Sequence, residues 1–268
     1  MPAMSSIVSR NPFSVAGRNI VIVGGTAGIG LAVAAHLAEA GASVIITGRR
    51  SEGEQIANDI GATFVQMDIS DNASTTVGFA SIATNIDGID CLILNAGIDR
   101  YHGEIDDVDV PVFEQVFNTN TIGLVRSMAA GVNQLSAGGS IVVTSSPAGS
   151  IAAPGMAAYS ASKAALDMLV RTWALELGPK QIRVNAVLPG IVESEMASES
   201  TAALEAIRRM TANGMYRKAA EMGPVFQFLA SDASAPLTGS LVGAHDGISV
   251  GYSKEVLDRV SADIEGDA

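Results

Sequence analysis

Basic residues are scarce in this chain. It holds 16 Lys and Arg against 28 Asp and Glu, a net charge of −12 over 268 residues. Nucleic acid and anionic membrane surfaces need clustered cations, so neither is an expected partner. Cysteine is nearly absent. The single Cys91 allows no disulfide within the chain, and in the run Cys91-Leu92-Ile93-Leu94 it reads as a buried small hydrophobe. A reducing, cytoplasmic setting fits. Met1 to Arg10 lacks the apolar core of a signal peptide. No charge occurs from Ser127 to Ser162, yet Gly, Ser, Asn, Gln and Pro interrupt that stretch before it could span a bilayer. It reads as the interior of a soluble protein.

With 48% hydrophobic residues the chain can bury a sizeable core. Its length suits one large α/β unit. Residues 1–13 read as a polar arm, 14–252 as one domain with a lid at 191–222, and 253–268 as an acidic tail that is helical or frayed. From Arg18 the pattern runs strand, glycine turn, helix: Asn19 to Val23, then Gly24-Gly25-Thr26-Ala27-Gly28-Ile29-Gly30, then an apolar-faced helix to Gly41. A glycine turn at a helix N-terminus lets backbone N–H groups approach a phosphate, though a tight turn needs no ligand. Further strands are expected at Ala42–Thr47, Thr63–Met67, a run leading into Asn95-Ala96-Gly97, Ser140–Ser145, Arg183–Leu188 and Ser240–Ala244. Alternation of strand and helix predicts a doubly wound, mostly parallel, Rossmann-like sheet with helices on both faces and ligands at the strand carboxyl ends.

The second strand ends in Gly48-Arg49-Arg50. An acidic residue there would hold the ribose hydroxyls of NAD, whereas guanidinium groups pair with the 2′-phosphate of NADP. NADP is favoured over NAD, although Thr26-Ala27 puts no second cation in the glycine turn. Asp68-Ile69 at the third strand end could meet an adenine, or Asp68 could serve the next helix N-terminus in competition with Ser70 and Asp71. A helix is expected from about Pro111 to Leu135, and its Asn120 is either a satisfied core amide or a group holding a water or a lysine.

Tyr159 and Lys163 open a helix that continues to about Leu177, and a spacing of four puts both on one face. A phenol is a weak acid, with a pKa of about 10; a nearby ammonium is expected to lower it. Ser146, at the end of an apolar strand, could hold a substrate oxygen. Alone, a Tyr/Lys pair is more often a solvated helix face. Pro147, Ala148, Met156, Ile191 and the lid methionines Met196, Met210, Met215 and Met222 are candidate pocket walls. Being apolar, they favour a neutral carbonyl compound.

In this order and spacing the motifs resemble those of the short-chain dehydrogenase/reductase family, over roughly Ser14 to Tyr252. Gly24, Gly28 and Gly30 match its glycine turn, with Val23 where Thr is usual. Asn95-Ala96-Gly97 matches its N-N-A-G element after Leu94, and Asn120, Ser146, Tyr159 and Lys163 match its catalytic tetrad. Pro189-Gly190 with Ile191 and Ser194 resembles its P-G-x-x-x-T segment. His245-Asp246-Gly247 departs from its D-G-G. The resemblance implies that Tyr159 is the general acid/base, Lys163 tunes it and bonds the nicotinamide ribose, Ser146 orients the carbonyl, and Asn120 holds a water. It implies hydride transfer with NAD(P) and a homotetramer or homodimer; the apolar face of Ala164, Leu166, Leu169, Val170 and Trp173 is compatible with such an interface or with plain core packing. A catalytically silent nucleotide-binding regulator and a methyltransferase are the competing readings.

Overall fold

Strand Asn19–Val23 carries no polar interruption between Ile20 and Val23, the pattern of a strand covered on both faces. In a computed structural model, which describes residues 11–193, 205 and 208–266, it is β1, near the middle of a seven-stranded sheet. The others are β2 (Ser43–Gly48), β3 (Thr63–Gln66), β4 (Ile89–Leu94), β5 (Leu135–Thr144), β6 (Arg183–Pro189) and β9 (Leu241–Ala244), in the order 3-2-1-4-5-6-9. All neighbours are parallel. Strand order reverses between β1 and β4, so their carboxyl ends open a crevice where a ligand can enter.

The pleat sends alternate side chains to opposite layers. Val21, Val23, Leu92, Leu94, Ile141 and Val143 face α3 (Asn72–Asn85), α5 (Gly123–Gly131) and α6 (Ala157–Leu177). Ile20, Ile22, Cys91, Ile93 and Val142 face α1 (Gly28–Glu39) and α7 (Gly223–Ala230). Each such buried aliphatic contributes roughly 1.5–3 kcal/mol relative to exposure. Leu166, Val170 and Trp173 belong to the first layer, so that face of α6 is core. The large exposed apolar residues of α6 are Met168 and Leu175.

Some expected elements shift. The single helix from Pro111 to Leu135 is α4 (Val110–Phe117), a π-helical turn (Asn118–Ile122), α5 and a short 3-10 turn (Val132–Gln134). The strand then begins at Leu135, five residues before Ser140. Helix α2 (Gly53–Asp59) lies between β2 and β3, and Asp71 caps α3 by accepting from the Ala73 and Ser74 N–H groups. The lid base forms a two-stranded parallel pair, β7 (Val192–Glu193) with β8 (Arg217–Lys218). Within the expected lid at 191–222, residues 194–204 and 206–207 lie outside the described residues, Met196 among them, as does the arm at 1–10. Met222 packs in the core below α1, while Met210 and Met215 are exposed. The acidic C-terminal segment is a helix, α8 (Lys254–Gly266). No helix among the described residues is long and apolar enough to cross a membrane.

Candidate active site

The glycine turn joins β1 to α1 at the crevice. Its tightness explains its residues: Gly24 has φ +85°, and a Cβ there would lie 2.6 Å from Ala96 Cα. A Cβ on Gly30 would lie 2.1 Å from the Gly24 carbonyl oxygen. Gly28 also takes a positive φ. Helix α1 starts at Ala27 with no side-chain cap, unlike α3 and α4, whose caps are Asp71 and Asp109. The first-turn N–H groups of α1, Ile29 included, therefore suit an anion from outside. The donor set fits a nucleotide pyrophosphate. Thr26, beside them, is buried against Gly48.

The remaining nucleotide candidates line the same edge. Arg49 and Arg50 are exposed just beyond β2. Asp68 is partly committed, its Oδ1 accepting from the Ser70 backbone N–H at 2.9 Å and from its hydroxyl at 2.7 Å. Ile69 packs on Gly123, where a Cβ would lie 2.9 Å from its Cδ1. Asn95 braces the turn: its Nδ2 donates to the Gly24 carbonyl at 2.8 Å, and its Oδ1 accepts from Thr144 Oγ1 at 2.9 Å. Ala96 N–H donates to the Val23 carbonyl at 2.8 Å. At the β6 end, the Gly190 N–H donates to the Ala244 carbonyl, and Ile191 accepts from the Arg217 N–H. Ser194 lies outside the described residues.

Asn120, Ser146, Tyr159 and Lys163 converge beside Gly97. A Cβ on that glycine would stand 3.4 Å from Asn120 Oδ1 and 3.6 Å from Lys163 Nζ, ordinary contact distances. Lys163 is 3% exposed, donates to the Thr144 carbonyl at 2.9 Å, and sits 5.5 Å from the centroid of the Tyr159 ring. Burial drives its pKa down to about 8, against an opposing pull from Asp167 and Asp99. Tyr159 departs from expectation. Burial pushes its phenol up to about 12; a hydrogen bond with Ser146 lowers it, and the Asp99 carboxylate raises it. Desolvation is thus the largest influence on the phenol in the chain by itself. Ser146 Oγ also accepts from the Ala148 N–H at 3.2 Å, fixing the 3-10 turn Pro147–Gly149 that follows β5.

Asn120 lies in the π-helical turn and is fully buried. Its Oδ1 accepts from Ile98 N–H at 2.7 Å; its Nδ2 donates to Ile98 O at 2.8 Å and to Ser162 Oγ at 3.2 Å. Both amide donors are spent on protein, so the side chain is the satisfied core amide and does not reach the lysine. Several groups at the site had not been singled out from sequence. Asp99 acts electrostatically on both Tyr159 and Lys163. His102 is buried, and its Nε2 accepts from the Ala158 N–H at 2.9 Å, holding the first turn of α6 just before Tyr159. A lone His in the acidic stretch 99–109 was the only signal for it. On the substrate side, Tyr101 lies over Gly155, where a Cβ would be 2.7 Å from its ring, and Met156 and Ala148 are half-buried.

A glycine turn at a reversal of strand order, with a serine, a tyrosine and a buried lysine beside it, defines a dinucleotide-binding oxidoreductase. Comparison with known proteins agrees. A family model described as enoyl-(acyl carrier protein) reductase matches residues 24–249. The chain is 31% identical over 265 residues to an NADPH-dependent aldehyde reductase-like protein, chloroplastic, of Arabidopsis thaliana, covering 90% of this chain and 98% of that one. It is 32% identical over 236 residues to an NADP-dependent (R)-specific alcohol dehydrogenase of Lentilactobacillus kefiri, covering 84% and 93%. A crystal structure of a short-chain type dehydrogenase/reductase from Mycobacterium marinum superposes with a TM-score of 0.83 at 29% identity, over 90% of this chain and 98% of that one. The chain belongs to the short-chain dehydrogenase/reductase family. It is an NAD(P)-dependent oxidoreductase that interconverts alcohol and carbonyl groups of small molecules.

Proposed function

We propose that the protein is an NADP-preferring alcohol dehydrogenase and ketone reductase in which Tyr159 moves the proton at the substrate oxygen. The observation that carries this reading is the buried Lys163 held against the Tyr159 ring, with Ser146 bonded to the same phenol. When bound, the nicotinamide supplies or accepts the hydride. Ser146 orients the carbonyl, Tyr159 protonates it or deprotonates the alcohol, and Lys163 supplies the neighbouring positive charge. Because the Asn120 amide is spent on Ile98 and Ser162, its side chain ties the segment after β4 to α6 beside the tyrosine. Arg49 and Arg50, on a strand end whose Gly48 has no room for a side chain, support NADP, as do the NADP-dependent relatives.

The pocket walls Pro147, Ala148, Met156 and Ile191 support a neutral ketone or aldehyde. A homotetramer or homodimer is supported by exposed Met168 and Leu175 and by an apolar hollow of about 370 Å³ lined by Val125, Met128, Trp173 and Leu177. The single buried thiol supports a cytoplasmic setting.

Tyr159→Phe tests the assignment. The variant should bind NADPH as the parent does, read by fluorescence, and lose nearly all NADPH consumption with a panel of ketones and aldehydes. Turnover at the parent rate would remove Tyr159 from the chemistry. A parent protein that binds NADPH but reduces no carbonyl would favour the silent regulator.

A further inference from the structure

The tetrad leaves one buried ionisable group of α6 without a role. Asp167 lies one turn beyond Lys163 on the same helix face and is 6% exposed. A carboxylate is removed from water only at a cost that partners must offset. Its Oδ1 accepts from Ser145 Oγ at 2.5 Å, and Ser145 immediately precedes Ser146. The same turn packs on it from above: a Cβ on Gly149 would lie 2.8 Å from Asp167 Oδ2. The carboxylate therefore touches the segment that carries Ser146 at two points, and it sits one helical turn from the ammonium beside Tyr159.

We propose that Asp167 is a positioning residue of this site, a buried carboxylate one helical turn from Lys163 that fixes the strand end bearing Ser146 and offers the lysine a counter-charge. The proposal rests on the acid–base reading given above. The charged groups around the pair are few. Along α6 these are Lys163 and Arg171, and from the segment after β4 comes Asp99, which acts on Lys163. Strand β5 and the 3-10 turn contribute neutral groups, the Thr144 carbonyl, the Ser145 hydroxyl and Gly149. Burial raises the Asp167 carboxyl, while the Ser145 bond, Arg171 and Lys163 draw it back. Asp167 in turn opposes the desolvation that would otherwise neutralise the lysine. Asp99 acts in the same direction on Lys163 but is exposed and so is screened by solvent.

Asp167→Asn separates charge from geometry, because the amide oxygen can still accept from Ser145. The experiment is the pH profile of kcat/KM for ketone reduction with NADPH, alongside NADPH binding and thermal melting. The alkaline midpoint is expected to move down by about one pH unit. The rate then falls roughly twofold at about pH 7 and roughly tenfold at about pH 9, with the fold intact. Asp167→Glu should return the midpoint towards that of the parent. Ser145→Ala, which keeps the charge, should lower kcat without moving the midpoint. A profile superimposable on the parent, or an equal loss at every pH, overturns the proposal. Tyr159→Phe, run in parallel, keeps the two readings apart: an active Tyr159→Phe defeats the acid–base assignment itself, whereas an inactive one beside an unshifted Asp167→Asn defeats only this inference.

Discussion

Replacing Arg49 by alanine tests nucleotide choice at the point where the chain offers few alternatives. At the end of β2 a carboxylate cannot be placed on residue 48, since a Cβ there would lie 2.6 Å from Thr26 Oγ1. At the end of β3 the Asp68 carboxylate is engaged by Ser70 and feels the charge of Arg49. On the proposed NADP reading, the groups that would face a 2′-phosphate are the exposed pair Arg49 and Arg50. A hydrogen bond to a charged group contributes about 1.5–3 kcal/mol. Arg49 is exposed, which reduces the figure towards the ~1 kcal/mol of screened pairs. We expect the variant to lose about 1–2 kcal/mol of NADPH binding, roughly 5–30-fold in Kd, and to bind NADH within about twofold of the parent. The assay is a fluorescence titration of both nucleotides on parent and variant, repeated at low and high salt. The NADPH difference should shrink as salt rises. Equal weakening for both nucleotides, or a parent that holds NADH as tightly as NADPH, would refute the reasoning.

Gly30→Ala places a methyl 2.1 Å from the Gly24 carbonyl, a backbone atom with nowhere to go. It should cost about 1–3 kcal/mol of stability and most of the nucleotide affinity, read by melting and NADPH titration; unchanged values for both would contradict the tight-turn account. The pH dependence follows from Lys163, whose pKa is lowered to about 8 while that of Tyr159 is raised to about 12. A base with a lowered pKa is charged below that value and neutral above it, so kcat/KM should decline as pH rises through about 8. A rate constant that stays level to about pH 10 would mean that the lysine charge is not required.

Much of the architecture could be read from residue order because local and long-range demands coincide there. The run Ile20 to Val23 followed by glycines leaves few options, and Asn19–Val23 is the observed strand. Tyr159 and Lys163 start a helix whose apolar positions recur cleanly to Leu177. The π-helical turn at Asn118–Ile122 was hidden because five residues are too few to shift the apolar period detectably. Leu135 to Gly139 carries two glycines and a serine, which resembles a loop, yet it extends β5 where the pairing with β4 is irregular between Ile89 and Cys91. The direction of the phenol pKa is hidden from the sequence for another reason. Spacing along a helix reveals that a lysine is near, but only the fold reveals that the lysine is buried and the phenol half-buried beside it. Asp167 and His102 are similar cases, polar residues whose meaning depends on partners 22 and 56 positions away.

Thr144 ends β5 with its hydroxyl on Asn95 and its carbonyl on Lys163, while Asn95 in turn grips Gly24. One short relay of three contacts therefore spans the distance from the glycine turn to the Lys163 amine. On the proposed reading, grasping the coenzyme and readying the proton donor draw on one continuous set of hydrogen bonds through the end of β5.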